Sequence, residues 1–125
     1  MLCFAPIGTV SAGNDGGAHL ASISQEVLAK KIIQKQERKI LFSLVDLRLE
    51  GEYQSGHLPG AVNAPLKKLR FLAESMFAKN DEIIFYGYSR EDRASANAMI
   101  LLGNKGFKHI SLLDGGFEEW KGKVE

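Results

Sequence analysis

The chain has 125 residues, a formal net charge of +1 and a hydrophobic share of 45%. This size predicts one domain with an ordinary hydrophobic core. The balanced charge, without a basic stripe, argues against nucleic acid as a partner, and no apolar run is long enough to span a membrane. The single cysteine, Cys3, cannot form an intrachain disulfide, and the three histidines are far apart. We therefore predict no metal site and no cofactor.

Residues 1–17 are predicted to be a flexible leader ahead of a domain that spans residues 18–125. The first ten residues are fairly apolar, and Val10-Ser11-Ala12 has the small residues of a signal-peptidase site. A basic region is missing at the start and the apolar part is short, so two interpretations stay open. One is a leader on a cytoplasmic protein. The other is the end of a longer signal peptide on an exported or periplasmic protein.

Helical and strand patterns alternate along the rest of the chain. Ser24 is predicted to cap a first helix whose apolar stripe contains Val27, Leu28, Ile32 and Ile33. Strands are predicted at 40–47, 61–64, 83–86 and 109–112, and helical segments at 50–54, 66–78 and 94–105, with Gly106 after the last of these. Because the strands are apolar throughout, we expect a parallel sheet with helices on both faces, an α/β fold.

Residues 87–93, with the sequence Gly-Tyr-Ser-Arg-Glu-Asp-Arg, lie between a predicted strand and a predicted helix. Ligands of open α/β sheets bind beyond the carboxyl ends of the strands, and a loop before a helix gathers unpaired backbone N–H groups. Such a loop can hold an anion or lower the pKa of a thiol, but this one contains no cysteine. The predicted binding residues are Gly87, Tyr88, Ser89, Arg90, Glu91, Asp92 and Arg93.

Two further segments are predicted to hold the fold together. Asp46 ends an apolar strand and needs partners, and Arg48 and Glu52 have the i, i+4 spacing of an ion pair if a helix begins there. His57 lies in a Gly- and Pro-rich turn without an evident carboxylate partner, so we predict a structural role for it rather than catalysis. The same role is predicted for the turn residues Asp114, Gly115 and Gly116. Phe117 and Trp120, spaced i, i+3, are expected to close the end of the sheet.

Residues 45–61 and 113–120 resemble the two signatures of the rhodanese-homology family, in matching order and spacing, and the similarity runs from about residue 18 to residue 120. The resemblance implies a central five-stranded parallel sheet with helices on both faces. It also implies an active-site loop after the fourth strand, where family members carry a catalytic cysteine in a cradle of backbone N–H groups with an arginine at its far end. Arg93 matches that arginine. The cysteine's place is taken by Tyr88 if the loop has the sulfurtransferase length, or by Gly87, which strand register favours, if it is one residue longer.

Sulfur transfer needs a thiolate that can hold and release a second sulfur atom. Glycine has no side chain, and an ordinary tyrosine is only about a thousandth ionised at pH 7 and cannot form a persulfide. Ser89 lacks an evident base, and Glu91 and Asp92 place negative charge where the family binds an anion. We therefore predict a non-catalytic module that binds an unidentified protein partner or a small oxyanion at the 87–93 loop. The alternatives are a thiosulfate or persulfide sulfurtransferase with a non-standard nucleophile such as Cys3, and a structural or assembly unit.

Overall fold

The computed structural model describes residues 21–125, so the predicted leader, its linker, Cys3 and His19 lie outside the described residues. Within that range, short strands and helices alternate along the chain. The strands are β1 (Ser22–Ile23), β2 (Ser43–Asp46), β3 (Val62–Asn63), β4 (Glu82–Tyr86) and β5 (His109–Leu113). The helices are α1 (Gln25–Gln36), α2 (Glu50–Ser55), α3 (Leu66–Met76), α4 (Ala94–Asn104) and α5 (Gly116–Glu119).

The five strands form one parallel sheet in the order β1-β5-β4-β2-β3. Successive side chains of β4 enter two different core clusters, because neighbouring residues of a strand point to opposite faces. Ile83 and Phe85 pack with buried residues of α3 and α4, whereas Ile84 and Tyr86 pack with α1 and with side chains of α2 and α5. The predicted five-stranded α/β fold with helices on both faces is therefore confirmed.

The first helix begins as predicted but buries a narrower stripe. The Ser24 side chain accepts a hydrogen bond from the Val27 amide at 3.2 Å, which confirms the predicted N-cap. Leu28 and Ile32 are buried, but Val27 and Ile33 are exposed, so their predicted place in the stripe is wrong. At 100° per residue, these two side chains lie about 120° to either side of the stripe's centre.

Predicted element boundaries differ from the observed ones by a few residues. The predicted strand at 40–47 is longer than β2, because Leu41 is exposed and only the part from Ser43 pairs with β4. The last helix pattern ends as expected, since Gly106 follows α4 with a φ of +97°, a backbone conformation that suits glycine. Strand β4 lies between β5 and β2, so the loop that follows it lies between the segments that follow those two strands.

Candidate functional site

The 87–93 loop leaves the centre of the sheet and is fixed against the segment that follows β5. Gly87 is buried directly after β4, and its carbonyl oxygen accepts a hydrogen bond from the Phe117 amide at 2.9 Å. The Tyr88 carbonyl oxygen accepts one from the Glu118 amide at 2.7 Å. The Tyr88 side chain is 47% exposed. The backbone of the loop is therefore held while a large side chain faces solvent.

Gly116 allows this close approach. Its φ is +67°, and a Cβ atom placed there would lie 2.9 Å from the Ser89 amide nitrogen and from the Tyr88 carbonyl carbon and oxygen. A side chain at this position would therefore force the two segments apart. The neighbouring Gly115 also has a positive φ, of +87°, and caps the N-terminus of α5. The Asp114-Gly115-Gly116 turn therefore lies directly against the 87–93 loop, and its structural role stays a prediction.

Arg90 joins the loop to the same turn by ion pairs at the surface. Its guanidinium donates to Asp114 Oδ1 at 2.6 Å and to Glu119 Oε1 at 2.9 Å. The hydrogen bond to Glu119 and the charge of Asp114 raise the pKa of Arg90 above its ordinary value. Because its positive charge is already paired, Arg90 is a weak candidate for holding a free anion.

Asp92 fills the inside of the loop. Its Oδ2 accepts a hydrogen bond from the Tyr88 amide at 3.0 Å, and its Oδ1 accepts one from the Ala94 amide, at the start of α4, at 2.9 Å. A Cβ atom placed on Gly87 would lie 2.9 Å from Oδ2 and 3.2 Å from Cγ of Asp92. The carboxylate thus lies where a side chain at position 87 would begin, and it accepts hydrogen bonds from two of the loop's amides.

The two remaining charged residues of the loop face solvent. Glu91 and Arg93 are both exposed, and Arg93 precedes α4 without a side-chain cap. Neither of them forms an ion pair with any residue of the 21–125 range. The outer surface of the loop therefore offers an aromatic ring, one unpaired acid and one unpaired cation.

A buried network of ionic and polar side chains holds the end of β4, where the loop begins. The Asp46 carboxylate is fully buried and receives the Arg48 guanidinium, with Nη2 at 2.7 Å from Oδ2 and Nε at 3.1 Å from Oδ1. The Tyr86 hydroxyl donates to Asp46 Oδ2 at 2.7 Å and accepts from the Leu58 amide at 3.1 Å. Because Tyr86 is the last residue of β4, this network fixes the residue directly before the loop.

Both partners of Asp46 have shifted pKa values. Burial raises the pKa of Tyr86 above its ordinary value, and the hydrogen bond to Asp46 raises it further. Burial opposes the charge of Arg48, but the hydrogen bond and the negative charge of Asp46 outweigh it and raise the pKa of the guanidinium. The guanidinium carbon also lies 3.8 Å from the centre of the Phe117 ring, in cation–π contact. Tyr86 therefore stays protonated and Arg48 stays charged.

Arg48 does not pair with Glu52 as predicted. Helix α2 begins at Glu50, two residues after Arg48, so the two side chains do not share a helix. Glu52 instead accepts a hydrogen bond from the Leu49 amide at 3.2 Å, and Arg48 Nη2 donates to the Gly56 carbonyl oxygen at 2.6 Å. The predicted partner of Arg48 was wrong, although both residues stabilise this turn.

His57 follows α2 and contacts Tyr53 of that helix and Glu125. Its Nδ1 lies 2.8 Å from the Tyr53 carbonyl oxygen, its ring stacks on the Tyr53 ring at 3.9 Å, and its Nε2 lies 4.0 Å from Glu125 Oε1. A carbonyl oxygen only accepts, so Nδ1 carries the proton and donates. These contacts do not bring His57 to the 87–93 loop, and its structural role stays a prediction.

In the part of the chain from 21 to 125, no cluster of three or more histidine, cysteine or acidic side chains could hold a metal ion. Over the same residues, none of the helices is long and apolar enough to cross a membrane. The compartment of the protein and the expected absence of a cofactor stay predictions from the sequence.

The family model described as "Rhodanese-like domain" matches residues 24–123. This chain belongs to the rhodanese-like domain family. The Alr3790 protein from Anabaena sp. has a crystal structure that is 31% identical, with a TM-score of 0.70 over 82% of this chain and 81% of that one. The fold and the family that the two sequence signatures implied are therefore confirmed.

Two relatives have names that refer to sulfur chemistry. The putative sulfur carrier protein YrkF of Bacillus subtilis is 29% identical over 113 residues, which is 90% of this chain and 60% of that protein. The thiosulfate sulfurtransferase PspE of Escherichia coli is 33% identical over 67 residues, which is 53% of this chain and 62% of PspE. This rhodanese-like chain thus spans about 60% of the length of these two relatives.

Proposed function

We propose that this chain is a non-catalytic rhodanese-like module that binds a protein partner through the outer surface of its 87–93 loop. The observation that carries the proposal is the Asp92 carboxylate, which lies 2.9 Å from the place of a Cβ atom on Gly87 and accepts from the Tyr88 and Ala94 amides. A fixed negative charge thereby takes the place in which a rhodanese would hold a thiolate or an anionic substrate.

Gly87 is the residue that we assign to the position of the missing nucleophile. It is buried directly beyond β4, whereas the Tyr88 side chain is half exposed, on the outside of the loop. Residues 21–125 contain no cysteine at all. Oxygen side chains cannot substitute, because an alcohol or phenol cannot carry a sulfane sulfur and is almost entirely protonated at neutral pH.

A protein partner suits this loop better than a small oxyanion. An oxyanion would have to displace Asp92 from two amides and approach the exposed Glu91 as well. Arg90 is already paired with two carboxylates, which leaves Arg93 as the loop's one free cation among the described residues. A protein surface, by contrast, can pack on Tyr88 and pair with Glu91 and Arg93. Tyrosine and arginine are the residue types that most often dominate such interfaces.

The loop is also rigid enough to serve as a docking surface. Its backbone is fixed by the amides of Phe117 and Glu118 in α5, and Arg90 adds two surface ion pairs, one to Asp114 just before α5 and one to Glu119 within it. A held loop loses little conformational entropy when a partner binds, which leaves more of the interaction energy as affinity.

The second candidate is a sulfurtransferase that uses Cys3 or another non-standard nucleophile. The names of PspE and YrkF favour it, since both refer to sulfur transfer or sulfur carriage. Cys3 would have to enter a cradle whose amides already bind Asp92. Because Asp92 already accepts hydrogen bonds from these amides, the argument against a free anion also applies to the Cys3 thiolate.

Two experiments test the proposal. Affinity enrichment from a lysate of the source organism should recover a partner with the wild type and lose it with Tyr88→Ser/Arg93→Glu. Lys108→Glu, a charge change at an exposed residue between the end of α4 and the start of β5, should retain it. Equal recovery by all three proteins would refute the loop as the docking surface.

Isothermal titration with sulfate, thiosulfate and phosphate tests the anion version directly. We expect no binding heat from the wild type and a weak, saturable heat from Asp92→Ala, in which the two amides are free. A saturable heat from the wild type would restore the oxyanion as the ligand.

A further inference from the structure

A groove of about 720 Å³ lies along the free edge of the sheet, away from the 87–93 loop. It is bounded by α2, by α3 and by β3, which is the last strand in the sheet order and, within residues 21–125, pairs only with β2. The loop follows β4, which is separated from β3 by β2. This surface is therefore distinct from the docking surface proposed above.

The floor of the groove is apolar and open to solvent. Tyr53, Pro65, Phe71 and Leu72 line it, and Phe71 and Leu72 of α3 are 75% and 42% exposed. The core-facing residues of the same helix, Leu69 and Ala73, are fully buried. Phe71 and Leu72 are thus apolar side chains that the core does not use, and clustered exposed apolar side chains mark interaction sites.

The rim of the groove is cationic. Lys67 and Lys68 line it, and Arg70 is exposed on the same helix. Within residues 21–125, none of these three cations forms an ion pair. Glu50 is the acidic residue among the described lining residues, and its Oε2 accepts a hydrogen bond from Gln54 at 3.3 Å. Within the described residues the two lysines are thus unpaired, and Glu50 reduces the net charge of the lining to +1 (two lysines minus one glutamate).

We propose that this groove binds an acidic, apolar segment of a partner protein. One or two large apolar side chains of the segment pack against Tyr53, Phe71 and Leu72, and its carboxylates face Lys67 and Lys68. Charge complementarity selects this occupant, because an apolar surface beside two unpaired lysines of the same helix favours a segment with the opposite charge around an apolar anchor.

An anionic membrane surface fits the groove less well. A helix that lies in a membrane interface needs a continuous apolar face. In α3 the apolar face that contains Leu69 and Ala73 is buried in the core. Phe71 and Leu72 line a concave surface that α3 shares with α2. A concave apolar site suits inserted side chains.

The test uses the full ¹⁵N-labelled chain and two synthetic peptides. The probe is a 12-residue peptide in which Phe and Leu alternate with Glu and Asp, and the matched control has Lys at every acidic position. We expect saturable amide shifts confined to residues 50–54 and 62–72 with the acidic peptide only. The affinity should fall as NaCl rises from about 50 to about 300 mM, because salt screens exposed charges.

Variants decide whether the groove is the site. Lys67→Glu/Lys68→Glu should weaken the acidic peptide by about tenfold or more, since like charges then face each other, and Phe71→Ser should weaken it at all salt concentrations. Lys30→Glu/Lys108→Glu makes the same change in net charge at exposed positions elsewhere and should bind like the wild type. Tyr88→Ser/Arg93→Glu should also bind normally, which separates this proposal from the loop proposal. Circular dichroism melts verify that every variant is folded.

Several results would overturn the proposal. These are no saturable shift at millimolar peptide, shifts centred outside the groove, or equal weakening by the control pair. Sedimentation with vesicles of phosphatidylcholine and phosphatidylserine that depends on Phe71, without peptide binding, would assign the surface to membranes. A concentration-dependent dimer that Phe71→Ser abolishes would assign it to a second copy of the chain.

Discussion

Restoring a thiol at position 87 probes directly how Asp92 occupies the loop. In a Cys3→Ser background, Gly87→Cys places a Cβ atom 2.9 Å from Asp92 Oδ2 and its sulfur within reach of the same carboxylate. At a separation of about 4 Å, two unit negative charges repel by about 1 kcal/mol in water and by about 4 kcal/mol at an effective dielectric constant near 20. Because Asp92 is only half-buried, the lower part of that range applies. We therefore expect the thiol pKa to lie about 1 to 2 units above that of the same thiol with Asp92 removed.

Two double variants separate charge from shape. Gly87→Cys/Asp92→Asn keeps the size of the side chain and removes its charge, and Gly87→Cys/Asp92→Ala also frees the Tyr88 and Ala94 amides. The thiol pKa should be above about 8.5 in the single variant, lower with Asn, and lowest, below 8.5, with Ala. The single variant should also lose about 1–3 kcal/mol of unfolding free energy from the close contact.

The assay is the rate of alkylation by iodoacetamide as a function of pH, checked by thiolate absorbance at 240 nm. A single variant that titrates well below 8.5 would contradict the placement of Asp92 inside the loop. If Gly87→Cys/Asp92→Ala titrates at or above 8.5, the freed amides do not face position 87 and the cradle itself is lost.

The buried network gives two further predictions. Arg48→Met leaves the buried Asp46 carboxylate without its cation, so it should lower the free energy of unfolding in urea by about 3–5 kcal/mol. Lys108→Met, the surface control, should change it by less than about 0.5 kcal/mol. A similarly small loss in Arg48→Met would contradict the network. Tyr86→Phe should cost about 1–3 kcal/mol at pH 7, because the Leu58 amide and Asp46 each lose a partner. Because the folded pKa of Tyr86 is raised above its ordinary 10.0, the unfolded tyrosine ionises first, so the wild type should lose stability relative to Tyr86→Phe as the pH rises above 10. A difference between the two proteins that stays constant from pH 9 to pH 11.5 would contradict burial of this hydroxyl.

The fold could be predicted from the sequence because apolar and helical patterns are local features that recur along the chain. Apolar runs fixed the approximate places of β2, β4 and β5, and two long motifs identified the family. The exposure of Val27 and Ile33 was missed because apolar residues at helical spacing do not reveal how wide a stripe the core needs. The predicted strand ends differ from the observed ones because a strand ends where its pairing with a neighbouring strand ends, which a linear sequence does not show.

The site was less predictable, since its decisive contacts join residues that are far apart or that depend on loop geometry. The sequence indicated negative charge from Asp92 in the loop, but not that its carboxylate would accept from both the Tyr88 and Ala94 amides. The hydrogen bond from Tyr86 to Asp46 joins the neighbouring strands β4 and β2, whose pairing the linear sequence does not show, and the contact of Phe117 with Arg48 joins residues far apart in the chain. Two signals were available: the aspartate that ends one apolar strand and the tyrosine that ends another, because each polar group needs a buried partner.

Turnover of thiosulfate with cyanide, measured as thiocyanate on the full chain and on Cys3→Ser, tests the central claim most directly. We predict that neither protein forms thiocyanate above the buffer blank, because no thiolate can enter a loop whose amides already bind Asp92. Multiple turnovers by the wild type would contradict the claim. Their loss in Cys3→Ser would then identify Cys3 as the nucleophile.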